Sequence, residues 1–426
     1  MTTGPLAPGV YVDERSSGIR TITAVGTSTP AFLGFAYLDP KIYATDEAKE
    51  AEAARRYKPH LVRSWSVFAA RYDVDALLKV TPAPDEKEQF LVLAEAVYAF
   101  FANGGSACYV VVVPYKVPLT SADLEGDEQN GSGLLGLEQV AEPVSMVAVP
   151  SLWTMAGPTD KPDEFDDKKA AALMKTVVAH CVKMKNRLAI LDAPPDGRTD
   201  EKLLTFAGTL GTTDPDAAFT TLYHPWVWVP GIDGVSRPVP PCGHVAGVWA
   251  RTDAERGVFK APANVGLRDA LEPVDMLSDA RQAVLNGAGV DCLRVFPGRG
   301  LLVWGARTLS SSRDWKYLNV RRLVCFLSES IRVSSTWAVF EPNDDRLWAS
   351  LQHAVASFLT DQWRLGALLG RTPDEAFYVV CDRTNNTDDT IDAGKVICDI
   401  GVAPVRPAEF VHFQITQIAG QTGQTG

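Results

Sequence analysis

Between Asn319 and Ile331 the apolar residues fall at helical spacing. Val320, Leu323, Val324, Leu327 and Ile331 lie at i, i+3, i+4, i+7 and i+11, which is one buried stripe on an amphipathic helix. Arg321, Arg322 and Glu329 fall off that stripe. A second helix is expected from Asn343 as its N-cap, with Asp344 and Asp345 in the first turn to complement the helix dipole. Its stripe is Leu347, Trp348, Leu351, Val355, Phe358 and Leu359. Ahead of both helices, two short apolar runs at 292–296 and 301–304 flank a Pro297-Gly298 turn, the pattern of a strand pair.

Earlier in the chain the pattern alternates. Apolar strand-like runs at 31–36, 107–113, 144–149, 187–192 and 219–229 are interleaved with helical stretches at 88–102, 166–185 and 241–255. That alternation predicts a mostly parallel sheet covered by helices on both faces. Asn103-Gly104-Gly105 is a helix stop, and Ser64 caps a short helix. The stretch 39–58, which includes DEAKEAEAARR, reads as a solvated helix or surface segment, and 120–133 as a loop. Near the end, Thr372 to Glu375 has the form of a capping box with proline at N1. Strands are expected at 377–381 and 395–402.

Both termini look like strands without a local partner. Residues 1–28 have no helical stripe, and Pro5 and Pro8 keep the start extended; Val10, Tyr11 and Val12, then the run from Ile19 through Ile22 to Val25, form candidate strands. The run 409–418 alternates, with Val411, Phe413 and Ile415 on one face and His412, Gln414 and Thr416 on the other, beside Phe410. A lone terminal strand must borrow a sheet edge for its hydrogen bonds; for residues 1–28 a frayed tail is the alternative.

Composition narrows the classes. With 426 residues, 46% hydrophobic and 22% charged, the chain is an ordinary globular protein large enough for two domains. No apolar run of ~18 residues predicts a membrane span, and the N-terminus lacks the form of a secretory signal. The net charge of -11 argues against general nucleic-acid binding. The seven cysteines are scattered without metal-ligand spacing and read as reduced thiols made in a cytoplasm.

Several strings resemble the tail-sheath family of contractile phage tails and phage-like injection particles: VPPCGHVAGVWARTDAERGVFKAPAN, FPGRGLLVWGARTL, VRRLVCFLSESI, FEPNDDRLW, GVAPVRPAEFVHFQI and FFANGGSACYVVVV. The resemblance implies a subtilisin-like, mostly parallel α/β core domain (29–305), a C-terminal α+β sheath domain (306–405), and linking β-arms at 1–28 and 406–426. It implies a helical stack of hexameric rings around an inner tube, with baseplate and terminal cap proteins as further partners, and no cofactor or metal. Assembly is expected in a bacterial cytoplasm, in a phage tail or a released particle. The single chain argues against the two-chain sheath of type VI secretion. The arms are expected to link subunits through Val10, Tyr11, Val12, Ile19, Ile22, Phe410, Val411, Phe413 and Ile415. Arg321, Arg322 and Arg332 are candidates to face the tube, with salt bridging inside the subunit as the alternative.

The competing reading is a monomeric subtilisin-fold hydrolase or binding module. Gly26-Thr27-Ser28-Thr29-Pro30 echoes the serine loop of subtilisin-like proteases and Gly243-His244-Val245-Ala246-Gly247 their histidine loop. A triad needs nucleophile, base and carboxylate within hydrogen-bond reach, and here the serine comes before the histidine, against that family's order. PGRGLLVWGA has no Lys-Ser/Thr of a phosphate loop. No enzyme activity is expected.

Overall fold

The computed structural model describes residues 21–39, 45–79, 84–157, 165–195, 199–210 and 215–410. They divide into a larger compact unit, residues 26–326 with 405–410, and a smaller one, residues 21–25 with 327–404.

The larger unit is built on nine strands: β1 (Pro30–Gly34), β2 (His60–Val62), β3 (Cys108–Val112), β4 (Met146–Ala148), β5 (Leu188–Asp192), β6 (Thr220–His224), β9 (Val265–Gly266), β11 (Val290–Phe296) and β12 (Gly300–Val303). Strands β7 (Val227–Val229), β8 (Arg237–Val239) and β10 (Glu272–Pro273) form a separate small antiparallel sheet. The large sheet runs β2-β3-β1-β4-β5-β6-β11-β12-β9. From β3 to β11 every neighbour is parallel, and β2, β12 and β9 pair antiparallel. The parallel strands are the continuous apolar runs of the sequence; β1, β3, β5 and β6 are buried at every position, as strands covered on both faces must be.

The helices of this unit include α1 (Asp46–Arg56), α2 (Pro84–Ala102), α3 (Asp167–Met184) and α4 (Cys242–Arg256). The expected strand at 219–229 is two strands, interrupted at Pro225. The loop at 120–133 contains a helical turn, Ser121–Glu125, closed by a capping box between Thr120 and Asp123. The charged run of α1 is not wholly solvated: Arg56 is 1% exposed and bonds Glu52 and Asp73 at 2.9 and 2.8 Å.

The strings GHVAG and FFANGG meet where α4 crosses α2. A Cβ at Gly243 would lie 2.4 Å from the Ala96 carbonyl oxygen, and one at Gly247 would lie 2.5 Å from Asn103 Cβ. The two glycines therefore let helix backbones touch, and this packing accounts for the string that resembles a protease loop.

Helix α5 (Leu318–Ser334) begins in the larger unit and ends in the smaller. The sequence boundary at 305/306 differs from this division, because 306–326 stay with the sheet: Leu309 N–H bonds Thr220 O at 3.0 Å, and Leu318 and Cys325 join the main core. Of the predicted stripe, Val320, Leu323 and Leu327 are buried, Val324 and Ile331 half-buried. Arg322 and Glu329, expected on the polar face, are buried as well.

In the smaller unit, α6 (Asp345–Arg364) packs Leu347, Trp348 and Leu351 on Cys381 beside the hairpin of β13 (Phe377–Val380) and β14 (Asp399–Val402). The N-cap is Asp344, not Asn343: its Oδ1 accepts the N–H groups of Arg346 and Leu347, both at 3.0 Å. Asn343 Oδ1 instead accepts from Trp348 Nε1 at 2.8 Å. The box at Thr372 does not close; Glu375 turns back to accept from Arg371 N–H at 2.8 Å.

Candidate functional site

The sequence places the informative chemistry at the chain ends, and in the larger unit both described ends root close to the first turns of α5. At the N-terminal side, Thr27 Oγ1 donates to Asp253 Oδ2 at 2.7 Å. Asp253 lies on α4 and receives Arg322 of α5 in a two-pronged pair, 2.9 and 2.6 Å. The same guanidinium donates to Thr27 O at 3.3 Å and lies 4.6 Å from the centre of the Trp249 ring. Burial outweighs the arginine at Asp253 and raises its carboxyl above the usual range, as expected when a charge loses its water.

At the C-terminal side the chain returns along the same unit. Asn319 Nδ2 donates to Val405 O at 3.0 Å and to Phe259 O at 2.7 Å. Arg307, 5% exposed, bonds Glu409 through Nε at 2.8 Å and through a second, shorter contact. Hydrogen bonding to Glu409 holds the Arg307 pKa above its ordinary value. Arg307 N–H also donates to buried Asp291 at 2.8 Å. Arginine suits both roots because its planar fork matches a carboxylate in two bonds.

In the smaller unit, residues 21–25 are not a strand. Thr23 N–H donates to Ser334 Oγ at 3.0 Å and Val25 N–H to Ser330 Oγ at 3.1 Å. Alternate backbone donors of an extended segment are thus met by hydroxyls one helical turn apart on α5, in place of a sheet partner. Ile22 lies half-buried in this segment.

Of the other expected linking residues, Phe410 is 70% exposed, whereas Val10, Tyr11, Val12, Ile19, Val411, Phe413 and Ile415 lie outside the described residues. The three arginines separate. Arg322 is buried against Asp253, which fits the intramolecular alternative and removes it from any tube-facing surface. Arg321 is half-buried, its guanidinium 4.1 Å from the Phe219 ring centre and 4.5 Å from that of Trp315. Arg332 is exposed and pairs with Glu329 at 2.6 Å. Asp253, Arg307, Asn319, Ser330, Ser334 and Glu409 carry no spacing in the sequence that marks them as partners, since each finds its partner far along the chain.

The enzyme echoes find a different setting. His244 is buried on α4; its Nε2 faces Asp269 O at 3.3 Å and its Nδ1 has no hydrogen-bond partner. Burial lowers its pKa to about 4, which keeps the ring neutral. Open α/β sheets usually take ligands at the strand ends where the order reverses, here between β1 and β4. That place is packed: a Cβ at Gly34 would lie 3.0 Å from Leu93 Cβ and 3.1 Å from Ser151 Oγ. No group of three or more His, Cys, Asp or Glu side chains among the described residues could hold a metal ion, and no described helix is long and apolar enough to cross a membrane.

The bonds at Thr27, Val405 and Glu409 thus tie these segments to an α/β unit with a large, mostly parallel sheet. Two adjoining family models match it, the phage tail sheath protein central domain over residues 149–309 and the phage tail sheath C-terminal domain over 310–418. The chain belongs to the phage tail sheath family. It is 27% identical over 239 residues to a prophage major tail sheath protein of Pseudomonas aeruginosa, covering 54% of this chain and 57% of that relative; it thus spans little more than half that relative's length. Among solved structures, the anti-feeding prophage helical sheath in the contracted state matches with a TM-score of 0.72 and 28% identity, over 97% of this chain and 100% of the other. The sheath complex of the extracellular contractile injection system PVC, also contracted, matches with a TM-score of 0.70 and 27% identity, over 98% and 99%.

Proposed function

We propose that the chain is the subunit of a contractile sheath, a helical polymer of hexameric rings that surrounds an inner tube, meets a baseplate and a terminal cap, and drives the tube through a target envelope when it shortens. The observation that carries this reading is the near-complete correspondence with a contracted helical sheath at 28% identity. The larger unit then serves as a subtilisin-like body without that fold's chemistry. Residues 1–20 and 411–426 serve as β-arms that complete a sheet on neighbouring subunits, through Val10, Tyr11, Val12, Ile19, Val411, Phe413 and Ile415. Strand addition gives affinity through main-chain hydrogen bonds and register through alternating side chains, and a contact that does not close on itself yields an open filament. The half-buried Arg321 and the exposed Arg332 are the tube-facing candidates, with exposed residues of α6 beside them. The particle is a phage tail or an extracellular injection particle, assembled in the producing cell's cytoplasm.

The roots dictate how the arms should be cut. Deleting 407–426 would remove Glu409 and leave Arg307 without its carboxylate, so folding and linkage would be confounded. Truncation after Phe410, or removal of residues 2–20, leaves every described root bond in place. Negative-stain electron microscopy of the full chain with tube protein should show tubes or stacked rings, and both truncations should stay soluble and unassembled. Normal sheaths from both truncations would sink the arm model, and a full chain that remains monomeric with tube protein present would favour the binding-module reading.

A further inference from the structure

Strands β13 and β14 pair antiparallel as Phe377–Val402, Tyr378–Gly401, Val379–Ile400 and Val380–Asp399. The next facing pair in this register is Cys381 and Cys398. On the other side, Ala403 N–H bonds Ala376 O at 2.9 Å, and hydrogen-bonded and open pairs alternate along an antiparallel ladder. Counting along the ladder puts Cys381 and Cys398 on an open pair, where facing Cα atoms lie about 4.5 Å apart. That separation is within the roughly 4.4–6.8 Å that disulfides span.

Both are free thiols, and Cys398 packs against the small core cluster that includes Cys381. A hydrogen bond from the Cys398 thiol, with another from the buried Asn386, lowers the Cys381 pKa, while the same bond raises that of Cys398. Cys381 is 1% exposed and packs on Leu347, Trp348 and Leu351; Cys398 is half-buried and reachable from solvent. The other five cysteines are buried in the larger unit, and burial raises the thiols of Cys108, Cys181, Cys242 and Cys292.

We propose that Cys381 and Cys398 form a dithiol that a low-molecular-weight disulfide converts to an intrachain disulfide when the protein passes from a reducing to an oxidising compartment. Cys398, the sulfur that solvent reaches, loses its proton as it attacks one sulfur of the small disulfide; that S–S bond breaks and one small thiol leaves with that proton. The Cys381 thiolate then attacks Cys398 Sγ, the mixed disulfide breaks, and a second small thiol departs with the other proton. Two protein thiols are oxidised and one small disulfide is reduced to two thiols. The resulting bond staples the loop end of the hairpin and closes the loop 382–397. Such a bond is rare in proteins kept in a reducing cytoplasm and persists outside it.

The test incubates the full-length protein with oxidised glutathione, quenches with acid, then denatures, alkylates and maps peptides by mass spectrometry. Of the seven cysteines, five should alkylate, seven less the bonded two, with one cross-linked peptide joining Cys381 to Cys398. Cys381→Ala should instead trap glutathione on Cys398, and Cys398→Ala should alkylate at all six remaining cysteines. The Cys398→Ala arm keeps the test decisive if loss of buried Cys381 unfolds the smaller unit. Alkylation of all seven in the wild type, a stable glutathione adduct on wild-type Cys398, or a cross-link between other cysteines would each overturn the proposal.

Discussion

At the residue scale, the buried charges of the larger unit set its response to pH and to substitution. Asp192, at the end of β5, accepts the Cys242 N–H at the start of α4 at 2.9 Å, and burial lifts its carboxyl to about 7. The folded chain keeps this proton up to neutral pH, while the unfolded chain releases it in the ordinary carboxylate range. Stability from this group is therefore present in acid and lost as pH rises from about 4 to about 7. Asp192→Asn keeps an oxygen for Cys242 and removes the ionisation. It should raise the melting temperature at pH 8, by at most on the order of 4 kcal/mol in stability, and flatten the curve between those pH values; thermal melts across pH check this, and an unchanged slope would refute it. Arg322 is the opposite case. Arg322→Ala strands the Asp253 carboxylate in the core, and removing one partner of a buried pair costs about 3–5 kcal/mol. The double change Arg322→Met with Asp253→Asn should lose less than the single one, as read from urea midpoints.

At the scale of elements, the same residue type has opposite meanings in two helices. A Cβ added at Gly208, in the helix Asp200–Thr209, would have nothing within 4 Å, so Gly208→Ala should stabilise by up to about 1 kcal/mol through helix propensity. At Gly247 the added methyl meets Asn103 Cβ at 2.5 Å and Phe100 O at 2.7 Å, and overpacking of about 1–3 kcal/mol exceeds that gain. Gly247→Ala should therefore lower the melting temperature while Gly208→Ala raises it; two rises would mean that α2 and α4 part without strain. This pair shows what the sequence could reveal. The parallel strands and the α5 stripe were legible, because burial on both faces or on one stripe writes itself as runs and periods. The role of GHVAG was not, since a glycine required by a neighbouring backbone looks like one required by a turn. The burial of Arg322 and Glu329 was hidden for a related reason: their partners, Asp253 and Arg332, lie off the stripe that periodicity reads.

At the scale of the whole chain, the family was legible from long matched strings, whereas the roots of the arms depend on pairs such as Arg307 with Glu409, over a hundred positions apart in sequence, that no local pattern encodes. Glu409→Ala leaves Arg307 without its carboxylate and should lower the urea midpoint of the monomer as well as the fraction that pellets as assembled sheath; wild-type pelleting would show that the C-terminal root has no part in linkage. The return of the chain to the larger unit at Val405 also has a mechanical side. Tension applied to the C-terminal end is taken up first at Glu409 and Val405, by Arg307 and Asn319, before it can reach Pro404. Residues 327–404 are thereby shielded from a pull on that end, much as a side branch is spared when the rope it hangs from is hauled tight above the knot.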